Sequence, residues 1–191
     1  WGVMPQVVSV EFVTFYLDVS EVTAGSSRKF VQQSGHSYDR WNDVAKYSPG
    51  YEYPMVYVNW NDATAYTERV GKRLPKEAEW KYATRGGLTG KRYPWGDDES
   101  VARGHANYSG TGGKDQFEGF PNCSTAPVGS FAYNGYGLYA MEGNVREWCA
   151  DRYDANYYTN SPLNDPTEPT TGQYRELRGG GVARQHFLPA C

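Results

Sequence analysis

The loop sequence HANYSGTGGKDQFEG, residues 105–119, carries residue types that could do chemistry together. Asn107 and Asp115 supply side-chain oxygens, and the glycines between them let the backbone fold back so that carbonyl oxygens point inward. A hard cation such as calcium takes about six to eight oxygen ligands from carboxylates, amides and backbone carbonyls. The residue types therefore predict a calcium-binding loop, and the spacing alone leaves a solvated surface loop as the alternative.

Other candidate sites have weaker support in the sequence. The run SGTGGKD is similar to a phosphate-binding loop, but Asp115 stands where Ser or Thr should follow Gly-Lys, and Tyr108 occupies the upstream glycine position. Glu77 and Glu79 are two residues apart on a predicted helix, so they point to different faces and fit helix-start acids better than a catalytic pair. The three histidines share no metal-ligand spacing, and we expect each at the surface or hydrogen-bonded: His36, His105 and His186.

The composition limits the classes of function. The chain has 191 residues, which fits one domain over residues 1–191, and its formal net charge of −3 gives no basic footprint for nucleic acid. We expect no membrane span, because no apolar run approaches the roughly 18 residues that one needs. The 17 tyrosines indicate a loop-rich domain that uses amphipathic rings. The odd cysteine count allows at most one disulfide within the chain: Cys123, Cys149 and Cys191.

Helix signals mark three segments that could position these residues. Residues 24–33 form a short helix candidate that Gly35 ends. Asn59 or Asn61 can cap a second helix that ends at Gly71 and whose shared face carries Ala63, Tyr66 and Val70. A third helix opens at Pro75 and stops at the glycine pair 86–87; it should bury Trp80 and Ala83 and leave Lys76 and Lys81 hydrated.

The remaining segments are predicted to be strands and loops. Alternating apolar and polar residues predict one or two strands over residues 7–23 and a short strand over 53–60. The sequences REWCADRYD and YRELRGG indicate two short late strands, and NGYGLY, residues 134–139, indicates a turn. Residues 36–53 and 93–130 show no clear period, so we expect mostly loop there.

Several of these segments resemble the formylglycine-generating enzyme family, the sulfatase-modifying factors. They are YPMVYVNWNDATAYTERVGKRLPKEAEWKYATRGG, YPWGDD, TAPVGSFAYNGYGLYAMEGNVREWCADRYD and LRGGG, and the similarity covers about residues 10–181 in the right order. The resemblance implies an α+β, C-type-lectin-like fold with two to three helices, a small twisted antiparallel sheet and much irregular loop.

The resemblance also implies calcium. One family site is built from an Asn side chain, the next carbonyl, an Asp and a carbonyl two residues further on, which fall on Asn107, Tyr108, Asp115 and Phe117.

The family's second calcium site falls on the segment 140–147. Its first ligand is normally Asn or Asp, and Ala140 offers no side-chain oxygen. Gly143, Val145 and Glu147 remain as ligands of an expected weaker site.

The family's catalytic residues are not matched. Its enzymes oxidise a sulfatase cysteine with O₂ and copper(I) held by two thiolates, three and eight residues after the serine of an RGGS motif. Here the motif reads RGGG, so Gly181 replaces the serine, and the cysteine positions carry Arg184 and Pro189. A two-thiolate site cannot be built from Cys191 alone, so we expect copper to be absent. Arg146 also stands where members of the family usually have a Trp directly before the residue that matches Glu147.

The sequence therefore favours a calcium-stabilised, non-catalytic binding or assembly module. The alternatives are a formylglycine-generating oxidase and an iron-dependent enzyme that forms C–S bonds, which needs a histidine triad. Only ten residues follow Gly181 where the family carries several dozen, so the family's last strand is replaced, the sequence is incomplete, or a partner completes the fold. If a partner does so, we expect Phe187 and Leu188 to contact a protein partner or a second copy. We expect an extracellular or periplasmic location.

Overall fold

The computed structural model describes residues 14–108, 124–155, 157, 166, 169 and 171–181. Within these ranges the chain forms helices α1 (Ala24–Ser34), α2 (Trp41–Tyr47), α3 (Trp60–Arg69) and α4 (Glu77–Arg85), a 3₁₀ helix (Glu99–Gly104), and strands β1 (Arg146–Arg152) and β2 (Arg175–Gly179). This is an α+β fold with a small antiparallel sheet, as the sequence predicted.

Capping residues set the ends of the first and third helices. Thr23 accepts a hydrogen bond from the Ser26 amide at the start of α1, and Gly35 ends that helix in the left-handed conformation at φ 71°. Asn59 starts α3 with a capping box in which Asn59 and Asp62 bond each other's backbone amides. Both predicted helices are confirmed, and Asn59 is the cap.

Helix α4 packs the central apolar cluster against the sheet. Trp80 and Ala83 are buried with Leu138, Met141 and Cys149, as predicted for the two helix residues. Lys81 is exposed and Lys76 is half-buried, so the hydration prediction holds fully for Lys81 only.

Gly86 ends α4 at φ 55°, and a Cβ there would lie 2.6 Å from the Gly135 amide. Only glycine fits this close approach between the helix end and the turn at 134–137.

The two late strands form an antiparallel pair. Glu147 lies opposite Arg178, and Trp148 lies opposite Leu177. The register then shifts between Trp148 and Arg152, and Arg152 lies opposite Arg175. The Ala150 amide also donates to the Pro75 carbonyl at 2.8 Å, which ties β1 to the start of α4. Both strand predictions are confirmed.

Several local predictions are wrong. Residues 14–22 form no regular strand, although their side chains alternate between half-buried and exposed from Phe15 to Asp18; residues 7–13 lie outside the described part. Residues 53–60 contribute one isolated bridge, Thr23 to Pro54, in place of a strand. An alternating pattern needs a neighbouring ladder to become a strand, and the described residues supply none here.

The predicted loops contain helical structure, and the described residues hold one α-helix more than expected. Helix α2 has seven residues, too few for a clear helical period, and tertiary packing of Val44 holds it. The 3₁₀ helix breaks the expected 93–130 loop. No described helix has the length and apolarity to cross a membrane.

Candidate functional site

Asn107 and Tyr108, the first half of the predicted calcium loop, follow the 3₁₀ helix. Asn107 is buried, and its Nδ2 donates to the Ser124 carbonyl at 3.2 Å and to Asn144 Oδ1 at 3.3 Å. Both amide protons are thereby used, so the amide oxygen is the atom that can face a cation, which fits the calcium prediction.

The Tyr108 carbonyl is less favourable for a cation. Arg103 Nη1 donates to it at 2.7 Å, and the Arg103 guanidinium also lies over the Tyr108 ring. A carbonyl oxygen has two lone pairs, so the Tyr108 carbonyl still has one with which to bind a cation. The positive charge of the Arg103 guanidinium disfavours a cation there. Asp115 and Phe117, the other two predicted ligands, lie outside the described residues.

The segment 140–147 curls back onto Asn107. Three residues adopt positive φ: Ala140 at 49°, Gly143 at 84° and Asn144 at 57°. A Cβ at Gly143 would clash with the Asn107 carbonyl, and that carbonyl accepts from the Asn144 amide at 2.7 Å. The two predicted calcium segments therefore meet.

The Asn144 side chain joins three separate parts of the chain. Its Nδ2 donates to Glu21 Oε1 at 2.8 Å and to the Ala126 carbonyl at 3.2 Å, while its Oδ1 accepts from the Ala126 amide at 2.8 Å. The side chain is fully buried. Sequence reasoning missed this residue, and the only local sign in the sequence is an asparagine directly after a glycine, a residue type that tolerates the left-handed conformation seen here.

Glu147, the carboxylate of the predicted second calcium site, is half-buried on β1. Its Oε2 accepts from Trp80 Nε1 at 2.7 Å. Burial raises the pKa of Glu147 to about 7, and the neighbouring Glu21 carboxyl adds to that rise. Burial raises the pKa of Glu21 as well, against the hydrogen bond from Asn144. The structure thus places the carboxyl groups of Glu21 and Glu147 close to each other.

The fit of a cation to this second site is partial. Ala140 and Val145 are buried, and Ala140 contributes no side-chain oxygen, as the sequence indicated. The described residues contain no group of three or more His, Cys, Asp or Glu side chains that could hold a metal ion. A cation here would depend on Glu147, on backbone carbonyls and on water.

The charged residues at the start of α4 form structural ion pairs. Arg73 Nη1 and Nη2 donate to Glu79 at 2.8 and 2.7 Å. Burial acts to raise the pKa of Glu79, but the hydrogen bonds from Arg73 and the Lys76 amide outweigh it and lower the pKa. Glu77 pairs with Lys81 at 2.9 Å and with Arg178. These contacts support the helix-start role.

The RGGG motif, residues 178–181, packs against the segment 140–147 through two of its glycines. A Cβ at Gly179 would lie 2.9 Å from the Val145 carbonyl, and one at Gly180 would lie 3.2 Å from the Gly143 amide. The positions that carry Arg184, Pro189 and Cys191 lie outside the described residues. Cys149 is a free thiol at 0% exposure in the core, and burial raises its pKa, so it packs as a small apolar residue.

The described histidines have ordinary partners. His36 Nε2 lies 2.9 Å from Asp62 Oδ1, and the His105 ring stacks on Trp95 with centroids 5.3 Å apart. The hydrogen bond confirms the expectation for His36, whereas His105 is half-buried and packs through its ring; His186 lies outside the described residues.

A cavity of about 610 Å³ lies beside this site, and no pattern in the sequence indicated it. Its walls are formed by residues of the segment 14–22, of helices α1 and α3 and of the start of β1, and Glu21 and Glu147 both line it. Its volume falls within the range of about 300–1,000 Å³ that is usual for ligand pockets.

Comparison with known proteins identifies the class. The sulfatase-modifying factor enzyme 1-like domain family matches residues 5–189, so the chain belongs to this family. It is 50% identical over 139 residues to a formylglycine-generating enzyme of Streptomyces coelicolor, covering 67% of this chain and 41% of that protein. It is 37% identical over 185 residues to a serine/threonine-protein kinase pkn1 of Chlamydia caviae, covering 87% of this chain and 28% of that protein.

A solved structure supports the fold. PvdO from Pseudomonas aeruginosa is similar with a TM-score of 0.64 and 29% identity, over 84% of this chain and 66% of that chain. The chain spans less than half the length of the two curated relatives that it matches above.

Proposed function

We propose that this chain is a non-catalytic member of the family that acts as a calcium-stabilised binding or assembly module. The observation that carries the proposal is the set of residue types after the RGG motif. Gly181, Arg184 and Pro189 stand where the resemblance places a serine and two copper-binding cysteines. Neither an arginine nor a proline side chain can act as a thiolate ligand to copper(I).

The one cysteine among the described residues does not replace the missing pair. Cys149 is fully buried between α4 and the sheet, and its raised pKa disfavours the thiolate that metal binding requires. It therefore supports the proposal that the copper centre of the family is not built in this chain.

The calcium part of the proposal rests on Asn107 and on its neighbourhood. The buried amide has both protons committed, and Gly143 and Asn144 pack directly against its backbone. A cation bound by Asn107 and Asp115 would tie the loop after Tyr108 to this packed segment and so stabilise the domain.

The surface supports a binding role. Large aromatic side chains stand exposed on several faces, and tyrosine gives contact area at low entropic cost. The exposed tyrosines among the described residues include Tyr16, Tyr51, Tyr82, Tyr133, Tyr136, Tyr153 and Tyr174. The similarity to a protein named as a kinase also indicates that this domain type serves within larger proteins of other activity. The Phe187–Leu188 segment as a contact to a protein partner or a second copy remains part of the proposal.

The second candidate is a formylglycine-generating oxidase, which the 50% identity to the Streptomyces coelicolor enzyme favours. The third, an iron-dependent enzyme that forms C–S bonds, has less support, because His36 and His105 are engaged with Asp62 and Trp95 in different parts of the fold.

An aldehyde assay tests the proposal against the oxidase. The purified chain, supplied with copper, a reductant, O₂ and a sulfatase-type cysteine peptide, should yield no aldehyde, while the Streptomyces coelicolor enzyme under the same conditions serves as the positive control. Aldehyde formation that disappears in the Cys191→Ser variant would overturn the non-catalytic reading.

A further inference from the structure

Tyr82 on α4 and Tyr136 in the turn at 134–137 form a stacked pair at the surface. Their ring centroids lie 5.6 Å apart, with 29° between the ring planes. The Tyr136 hydroxyl donates to the Tyr82 hydroxyl oxygen at 3.1 Å. Tyr82 is 48% exposed and Tyr136 is 45% exposed. The two rings are therefore in contact through their hydroxyl ends, and both are open to a reagent in solution.

Hydrogen bonds between α4 and the turn hold the backbone on both sides of this pair. Asn134 is buried, and its Nδ2 donates to the Ala83 carbonyl at 2.8 Å and to the Thr84 carbonyl at 3.2 Å. Its Oδ1 accepts from the Tyr136 amide at 2.9 Å. These bonds keep the two tyrosine backbones next to each other without any contribution from the rings.

The contact between the two hydroxyls favours one oxidation in particular, the coupling of two phenols. When each phenol loses an electron and its hydroxyl proton, the two radicals join at ring carbons next to the oxygens. The hydrogen atoms on those carbons then move to the oxygens and restore both hydroxyls. In the product the hydroxyls flank the new carbon–carbon bond and hydrogen-bond each other, as those of Tyr82 and Tyr136 already do.

Ring proximity alone does not give this arrangement. Tyr133 and Tyr139 have centroids 5.7 Å apart, nearly the same distance, but their ring planes meet at 79°. Such an edge-to-face contact directs the edge of one ring at the face of the other. Tyr133 is exposed and Tyr139 is half-buried. The Tyr133–Tyr139 pair is therefore an internal control for ring geometry.

We propose that Tyr82 and Tyr136 form an oxidative crosslinking site, at which a haem peroxidase acting with hydrogen peroxide joins them as dityrosine. The two phenols together give up two electrons and two protons, and the peroxide is reduced to two molecules of water. Two carbon–hydrogen bonds and the oxygen–oxygen bond of the peroxide break, and one carbon–carbon bond forms between the rings. The crosslink ties α4 covalently to the turn across 54 positions of the chain. This inference goes beyond the proposed function, because it depends neither on calcium nor on a copper centre.

Peptide mapping after a brief peroxidase treatment tests the site. The purified chain is treated with a haem peroxidase and stoichiometric hydrogen peroxide in the presence of a copper chelator, quenched with catalase and digested with trypsin. The peptides 82–85 and 115–146 should be recovered joined, with a mass two hydrogen atoms below their sum. Because the pair is held in place, the joined peptide should be at least about tenfold more abundant than any other tyrosine crosslink. Crosslinks spread evenly over other tyrosines, or found only between chains, overturn the proposal.

Conservative substitutions separate this site from general oxidation of tyrosine. Tyr82→Phe and Tyr136→Phe each remove one hydroxyl from the surface, so the fold is retained, and each should lower the yield of the joined peptide at least about tenfold. Tyr133→Phe, in the control pair, should leave that yield unchanged. A joined peptide that persists in Tyr136→Phe would place the crosslink on another tyrosine of peptide 115–146 and would overturn the assignment.

Unfolding the wild-type chain tests whether the folded geometry directs the reaction. In denaturing urea the sequence is unchanged but the stacked contact is lost, so the joined peptide should fall to the level of the other tyrosine crosslinks. Free tyrosine in a parallel sample confirms that the peroxidase is active in urea. Equal yields of the joined peptide from the folded and the unfolded chain would contradict the proposal.

Discussion

Asn144→Asp probes the contact on which the candidate site depends most. The substitution keeps the size of the side chain and its two accepted hydrogen bonds, from the Ala126 amide at 2.8 Å and from Asn107 Nδ2 at 3.3 Å. It removes the two donated bonds, to Glu21 Oε1 at 2.8 Å and to the Ala126 carbonyl at 3.2 Å. Asn144 has φ 57°, a conformation that Asp tolerates about as well as Asn, so backbone strain does not contribute.

The expected loss of stability follows from those two bonds. A buried hydrogen bond to a charged group contributes about 1.5–3 kcal/mol, and losing the donor to a neutral carbonyl costs about 1–3 kcal/mol. Glu21 is half-buried and the bond to the Ala126 carbonyl is 3.2 Å long, so the lower ends of both ranges apply. The sum of these lower ends is about 2.5 kcal/mol, before the repulsion between the new carboxylate and Glu21. That is a large part of the roughly 5–15 kcal/mol of a typical domain.

Urea unfolding, followed by tryptophan fluorescence at pH 5 and pH 8 in a chelating buffer, measures this effect. The loss should be larger at pH 8, where both carboxyl groups carry more charge. Asn61→Asp, exposed in the first turn of α3, is the matched control and should be neutral or slightly stabilising, because an acid there complements the helix dipole. A loss below about 1 kcal/mol for Asn144→Asp at pH 8 would refute the role assigned to the contact.

Three further predictions follow from the same contacts. The folded-state pKa of Glu147 is raised from 4.5 to about 7, so its stabilising contribution is complete below pH 4.5 and is lost as the pH rises to about 7. The free energy of unfolding should fall by up to about 3 kcal/mol over this range, and Glu147→Gln should flatten the pH profile of unfolding. Trp80→Ala should cost on the order of 3–5 kcal/mol, whereas Tyr82→Ala on the exposed face of the same helix should cost far less in the same urea titration. Calcium removal should lower the melting temperature, and Asp115→Ala should have the same effect without chelator; an unchanged melting curve would contradict the calcium site.

Local sequence signals predicted much of the fold. The helix-end signals at Gly35, Asn59 and Gly86 are short-range features, and each marks an end of a helix in the structure. The burial of Trp80 and Ala83 follows from helical spacing alone. Helix α2 was missed because its seven residues are stabilised by packing in the tertiary structure.

The candidate site was predictable only in part. The sequence indicated the oxygen ligands of the loop after Asn107, but it could not show that Asn144 and Glu21, 123 positions apart, share a hydrogen bond. The pairing of Glu21 with Glu147 and the cavity beside them depend on how distant segments pack. Neither hydrophobic periodicity nor a local motif predicts contacts between segments that are distant in the sequence.

Copper(I) retention tests the central claim, that this chain builds no catalytic copper centre, most directly. The purified chain and the Streptomyces coelicolor enzyme are loaded anaerobically with copper(I), challenged with a strong copper(I) chelator, and assayed for metal by mass spectrometry. The account predicts that the enzyme retains copper and this chain retains none above its Cys191→Ser variant. One copper per chain, retained by the wild type and lost in that variant, would contradict it.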